Sequence, residues 1–128
     1  MYFNLPGDIP MPIRELDPKT AYEAATSNQA VLIDVREPRE YAAERIHGAS
    51  LHPLSTFDAR ALPIDKTREI ILHCGSGKRS ADALARCQAA GVPITAHVKG
   101  GIMAWKQAGL PTIALDPATG AVLDPQRR

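Results

Sequence analysis

The segment that most restricts the fold is Glu69-Ile70-Ile71-Leu72-His73-Cys74-Gly75-Ser76-Gly77-Lys78-Arg79-Ser80. An apolar strand ends on a cysteine, a turn with two glycines follows, and a helix opens with two cations. Helix N-termini carry unpaired N–H groups and the positive end of the macrodipole, so they attract anions. Gly75 and Gly77 can take backbone angles closed to other residues, which lets successive N–H groups point into one concavity. A cysteine at the rim of such a cup has its thiolate favoured, and the thiolate is the nucleophile. Lys78 and Arg79 strengthen the field and can grip an anionic substrate. A plainer reading fits the same residues: Cys74 as a small buried hydrophobe, and the glycines as an ordinary strand-to-helix turn.

The rest of the chain alternates strands and helices. Strands are predicted at 13–16, 30–35, 48–52, 69–73 and 94–98, with 30–35 a continuous apolar run suited to a central parallel strand. Asp17-Pro18 opens a helix to about residue 27, and Glu37-Pro38 opens a short one to about Ala43. Residues 53–62 read as helical turns. The helix after the cysteine runs to about Ala90 and is closed by Gly91; a last helix follows Gly100-Gly101 to Ala108. The alternation predicts an α/β domain over 13–111, a central parallel five-stranded sheet with helices on both faces and right-handed crossovers. Ligands of such sheets bind beyond the carboxyl ends of the strands, the edge that Cys74, Asp34 and Arg36 occupy. Residues 1–12, with three prolines, read as an extended arm, and 112–128 as a loose tail.

Composition narrows the partners. With 15 basic and 14 acidic side chains in 128 residues, no general attraction to nucleic acid or a membrane surface is expected. No apolar run is long enough to span a bilayer. Two cysteines, Cys74 and Cys87, suit a reducing compartment better than a disulfide framework, and the N-terminus lacks the pattern of a secretion signal, so the cytoplasm is the default location.

Four motifs, in order, resemble the rhodanese family. Leu32-Ile33-Asp34-Val35-Arg36-Glu37-Pro38-Arg39-Glu40-Tyr41 is close to that family's D-V-R-x-x-x-E-Y. Arg45-Ile46-His47-Gly48-Ala49 is similar to G-H-I-P-G-A, and residues 100–111 to the closing G-G-x-x-A-W-x-x-A-G-x-P. The cysteine loop is the fourth. The departures are Glu44, Arg45 and His47, where the family usually has Gly, His and Pro; they leave the fold intact and put the approach to the site in question. The resemblance implies a rhodanese-like sulfurtransferase fold, with Cys74 as nucleophile and Gly75, Ser76, Gly77, Lys78, Arg79 and Ser80 around the substrate. Cys74 to Arg79 is the loop length associated with sulfur transfer, whereas related phosphatases and arsenate reductases place Arg one residue later, where this chain has Ser80. Gly75-Ser76-Gly77 resembles mercaptopyruvate sulfurtransferases and Lys78-Arg79 the small thiosulfate-using rhodaneses, so the donor stays open.

The implied chemistry needs no metal and no cofactor beyond a covalent persulfide on Cys74. Its partners are a small anionic sulfur donor and a thiol, cyanide or protein acceptor. Two alternatives belong to other classes: a persulfide carrier within a sulfur relay, and a non-catalytic binding module. Ser76 and Ser80 either donate hydroxyl bonds to the anion or line the turn. Asp34, Arg36 and Glu40 are assigned structural support, with Arg36 and Glu40 spaced i, i+4 for an ion pair. His73 is placed on the face opposite Cys74, Cys87 on the packed side of the helix, and Trp105 and Met103 against the sheet. His47, His52 and His97 lack metal-ligand spacing.

Overall fold

The computed structural model describes residues 12–125; the expected N-terminal arm lies, but for Pro12, outside them. In chain order the elements are β1 (Arg14–Leu16), α1 (Pro18–Thr26), β2 (Ala30–Asp34), α2 (Pro38–Ala43), β3 (Glu44–Arg45), β4 (Ser50–Leu51), β5 (Glu69–His73), α3 (Lys78–Ala89), β6 (Ala96–Val98), α4 (Gly101–Gln107), β7 (Ile113–Leu115) and β8 (Val122–Leu123). Two short 3-10 turns, Leu54–Thr56 and Ala59–Ala61, occupy the expected turn region. The five predicted strands form one parallel sheet in the order β1-β6-β5-β2-β4. β5 is central, and its register sets Asp34 beside His73. The carboxyl ends of β2 and β5 therefore meet at one place, which is where the loop begins.

Strand alternation divides the core into two layers. Ile33, Val35, Leu72 and Cys74 pack with Ala83, Leu84 and Cys87 of α3. Leu32, Ile71, Ala96 and Val98 pack on the other face with Ala21 of α1 and Ile102 and Trp105 of α4. Trp105 is buried, meets Tyr22 edge-on at 5.7 Å and donates its indole N–H to the Pro111 carbonyl. That end of the fold is thus anchored by the largest apolar side chain in the chain. Met103, expected on the sheet with it, is instead 58% exposed. It follows Ile102 around the helix by about 100°, which turns it off the buried stripe.

The tail is the main departure from expectation. Residues 113–115 and 122–123 pair antiparallel with each other, and β7 pairs with β3, giving a second, three-stranded sheet. Two-residue strands leave no periodicity to read, so neither β3 nor β8 was predictable. Glu44 holds the seam by accepting from Lys106 Nζ at 2.8 Å and Thr112 Oγ1 at 2.6 Å, while the Arg45 guanidinium lies 5.3 Å over the Tyr41 ring. Glu44, one of the unusual residues of that motif, therefore ties down the C-terminal segment.

Candidate active site

The loop from Cys74 to Gly77 is held from both sides. Gly77 has φ +107°, a left-handed conformation that a side chain would strain. It lets α3 start immediately and turns its own N–H back onto Cys74 Sγ at 3.0 Å. On the other side the first turn of α4 abuts the loop: Ile102 N–H donates to the Cys74 carbonyl at 2.8 Å and Met103 N–H to the Gly75 carbonyl at 3.1 Å. Only glycine fits at 101, because a Cβ there would lie 2.4 Å from the Cys74 carbonyl oxygen. The paired glycines of the closing motif therefore serve the cysteine loop.

Cys74 is 0% exposed. The expected rim position is corrected: the sulfur is the floor of the cup, enclosed by β5, the loop and α3. Burial pushes the thiol up, but the Ser80 hydroxyl and the N–H groups of Ser80, Gly77 and Ser76 together outweigh it and leave the Cys74 pKa below its ordinary value. The Ser80 hydroxyl lies 3.5 Å from Sγ and is buried, whereas Ser76 is exposed. Amides of the loop converge on the sulfur as expected, and they offset the effect of its burial.

The two cations behave differently. Lys78 is exposed. Arg79 folds back over the loop, so that a Cβ on Gly75 would meet its Nη2 at 3.1 Å. Glu40 grips it bidentately, at 2.7 and 2.9 Å, and this pairing, despite partial burial, holds the Glu40 carboxyl down to about 2. The predicted Arg36–Glu40 pair does not form. Arg36 instead wraps Asp34, with Nε 3.0 Å from Oδ1 and Nη2 2.8 Å from Oδ2, and also donates to the Glu44 carbonyl. Both partners are buried at the end of β2, where only a neutralised pair is tolerated. Spacing of i, i+4 presumes a continuous helix, and α2 starts only at Pro38, so Arg36 lies outside it.

His73 faces away from Cys74 as expected. Its Nε2 is 3.7 Å from Asp34 Oδ2 without a hydrogen-bond partner, and burial lowers its pKa. Cys87 is buried among aliphatic groups, and burial alone pushes its pKa up to about 11. His97 was passed over in the sequence and proves adjacent to the site: its Nδ1 is 2.8 Å from Ser80 Oγ. Nothing local to either residue signals that contact, since seventeen positions separate them and only the packing of α3 on β6 brings them together.

The comparisons agree with this geometry. A family model described as the rhodanese-like domain matches residues 17–108. A sulfurtransferase of Allochromatium vinosum is 32% identical over 80% of this chain and 96% of its own. An uncharacterised protein of Synechocystis is 42% identical over 75% of this chain, which spans about half (54%) of that relative's length. Among solved structures, a rhodanese-related protein from Thermoplasma volcanium superposes with a TM-score of 0.65 at 28% identity, covering 77% of this chain and 96% of that one. Among the described residues, no helix is long and apolar enough to cross a membrane.

Proposed function

The chain belongs to the rhodanese-like domain family, and on that footing we propose that it is a sulfurtransferase carrying sulfane sulfur from a thiosulfate-type anion through a persulfide on Cys74. The Cys74 thiolate attacks the outer sulfur, the S–S bond of the donor breaks, and sulfite leaves with the bonding pair. The persulfide anion then occupies the place the amides of Ser76, Gly77 and Ser80 already point to, so its charge meets fixed dipoles. A thiolate or cyanide takes the terminal sulfur and returns Cys74 to its thiolate, closing a two-step covalent cycle.

Arg79 is the group suited to the sulfonate end of the donor, being a planar fork at the mouth of the loop. Lys78, exposed beside it, adds to the attraction on approach. Two free cysteines and an ionisable thiol suit a reducing cytoplasm.

The observation that carries this reading is a buried cysteine whose ionised form is favoured by converging N–H and O–H donors. Incubation with thiosulfate is expected to add the mass of one sulfur atom to the protein, and Cys74→Ser to abolish the gain. Thiocyanate should appear when cyanide follows. Absence of sulfur uptake from thiosulfate, mercaptopyruvate and a desulfurase persulfide alike would sink the proposal; uptake from the persulfide only would replace it with the sulfur-carrier reading.

A further inference from the structure

His97 takes no part in the steps above, yet it is 2% exposed and lies one side chain from the nucleophile. Ala96 and Val98 face the α1–α4 layer, so alternation along β6 turns His97 toward α3. Its Nδ1 is 2.8 Å from Ser80 Oγ, and that oxygen is 3.5 Å from Cys74 Sγ. On the far side of the ring, Nε2 is 3.4 Å from Glu15 Oε2 on the edge strand β1, whose side chain is 57% exposed. A continuous line of polar groups thus joins the buried thiol to the surface.

We propose that Ser80, His97 and Glu15 form a proton relay that ionises Cys74, so that the thiol proton passes by way of the Ser80 hydroxyl to His97 Nδ1. This deepens the sulfur-transfer reading and rests on it only for what the thiolate then attacks. The balance is simple. The S–H bond breaks as an O–H bond forms on Ser80, whose own O–H bond breaks as Nδ1–H forms; the product is a thiolate and an imidazolium, with no electron lost or gained. Before transfer the hydrogen bonds run from S–H to Oγ, from O–H to Nδ1, and from Nε2–H to Glu15. Afterwards the first two reverse, Nδ1–H to Oγ and O–H to the thiolate, while the third becomes charge-assisted. No heavy atom has to move.

Burial explains why such a line is needed. It opposes a lone thiolate at Cys74 and a lone imidazolium at His97, as the direction of each group's burial contribution shows. Creating the two charges together leaves the interior neutral, and Glu15 stabilises the positive end from the surface. The other charged groups near the line are Arg79 of α3, which senses the Cys74 charge, and, around the end of β5, Asp34, Arg36 and His73. The competing acceptor for the Ser80 hydroxyl is the Gly77 carbonyl at 3.3 Å.

The test follows the full-length protein through a pH titration with two readouts, thiolate absorbance taken as the difference from Cys74→Ser, and the ring signals of His97 by nuclear magnetic resonance. Between the onset of Cys74 ionisation and the higher pH at which the imidazolium itself deprotonates, His97 is expected to carry its imidazolium signature, and to lose it there in Cys74→Ser. At a fixed pH below the midpoint, Ser80→Ala and His97→Gln should each cut the thiolate population roughly tenfold, the equivalent of one pKa unit. Glu15→Gln, at an exposed position, should cut it severalfold. A His97 ring that stays neutral while Cys74 ionises, and titrates identically in Cys74→Ser, would overturn the relay. Neither readout needs a sulfur donor, so persulfide formation with such a silent His97 would remove the relay and leave sulfur transfer standing. Coupled titration without sulfur uptake would support the relay and remove sulfur transfer.

Discussion

Cys74 and Cys87 lie in the same core layer, both without solvent exposure, yet their thiols are driven in opposite directions. Cys87 sits within α3, where backbone N–H groups are already spent on the helix, so burial acts alone and raises it to about 11. Cys74 precedes the same helix, where unspent N–H groups and the Ser80 hydroxyl turn toward it and lower its pKa against an equal lack of solvent. The difference between the two thiols is therefore the supply of donors. Burial, usually taken as the sign of a structural cysteine, does not distinguish them.

The bluntest way to break this contrast is to delete each sulfur. Cys74→Ser should abolish persulfide formation, and Cys87→Ser should leave it intact, as read by the mass of the protein after thiosulfate treatment. Gly101→Ala attacks the scaffold of the donors instead. With φ +61° and a Cβ driven into the Cys74 and Gly75 carbonyls, it should cost roughly 2–4 kcal/mol in denaturant unfolding. The Cys74 midpoint should climb toward an ordinary thiol while that of Cys87 stays put.

Arg79→Ala should raise the KM for thiosulfate roughly tenfold or more, in line with loss of about 1.5–3 kcal/mol in hydrogen bonds to a charged group, with a smaller change in kcat. Because Glu40 has its pKa depressed, the Arg79–Glu40 pair contributes stability above the ordinary carboxylate range, and it is lost as pH falls toward about 2. The smallest effect belongs to Cys87. Its folded pKa is raised, so the unfolded chain ionises first and stability falls as pH climbs from the ordinary thiol range toward about 11. Thermal melts of the wild type and Cys87→Ala should diverge in that window and run parallel below it.

The cysteine loop was readable because its signals are local. Strand, cysteine, glycines and cations are contiguous, and the preferences of each act over a few residues. The same holds for β2 and α3, and for the turn before α4. Asp34 and Arg36 lie at the sheet edge where they were placed, but their mutual pairing was missed because helix spacing was applied where the helix had not begun. Glu40 was assigned support and given the wrong partner. Met103 was assigned to the core because a helix of seven residues shows too little period to separate its faces. The second sheet escaped notice because a pair of residues has no pattern of its own and becomes a strand only when a distant segment supplies its hydrogen bonds.

The order of residues alone determined an alternating α/β domain, a cysteine at the carboxyl edge of its sheet, and a glycine-containing turn with two cations leading into a helix. These follow from backbone stereochemistry and the periodicity of apolar side chains, which short stretches of chain encode. Only the tertiary structure decided that the sulfur lies at the floor of its cup, that Glu40 pairs with Arg79, and that Ser80, His97 and Glu15 form a line to the surface. Those contacts join residues from different elements across the sheet, and strand order and register, the product of the whole core packing at once, choose which of many possible partners meet.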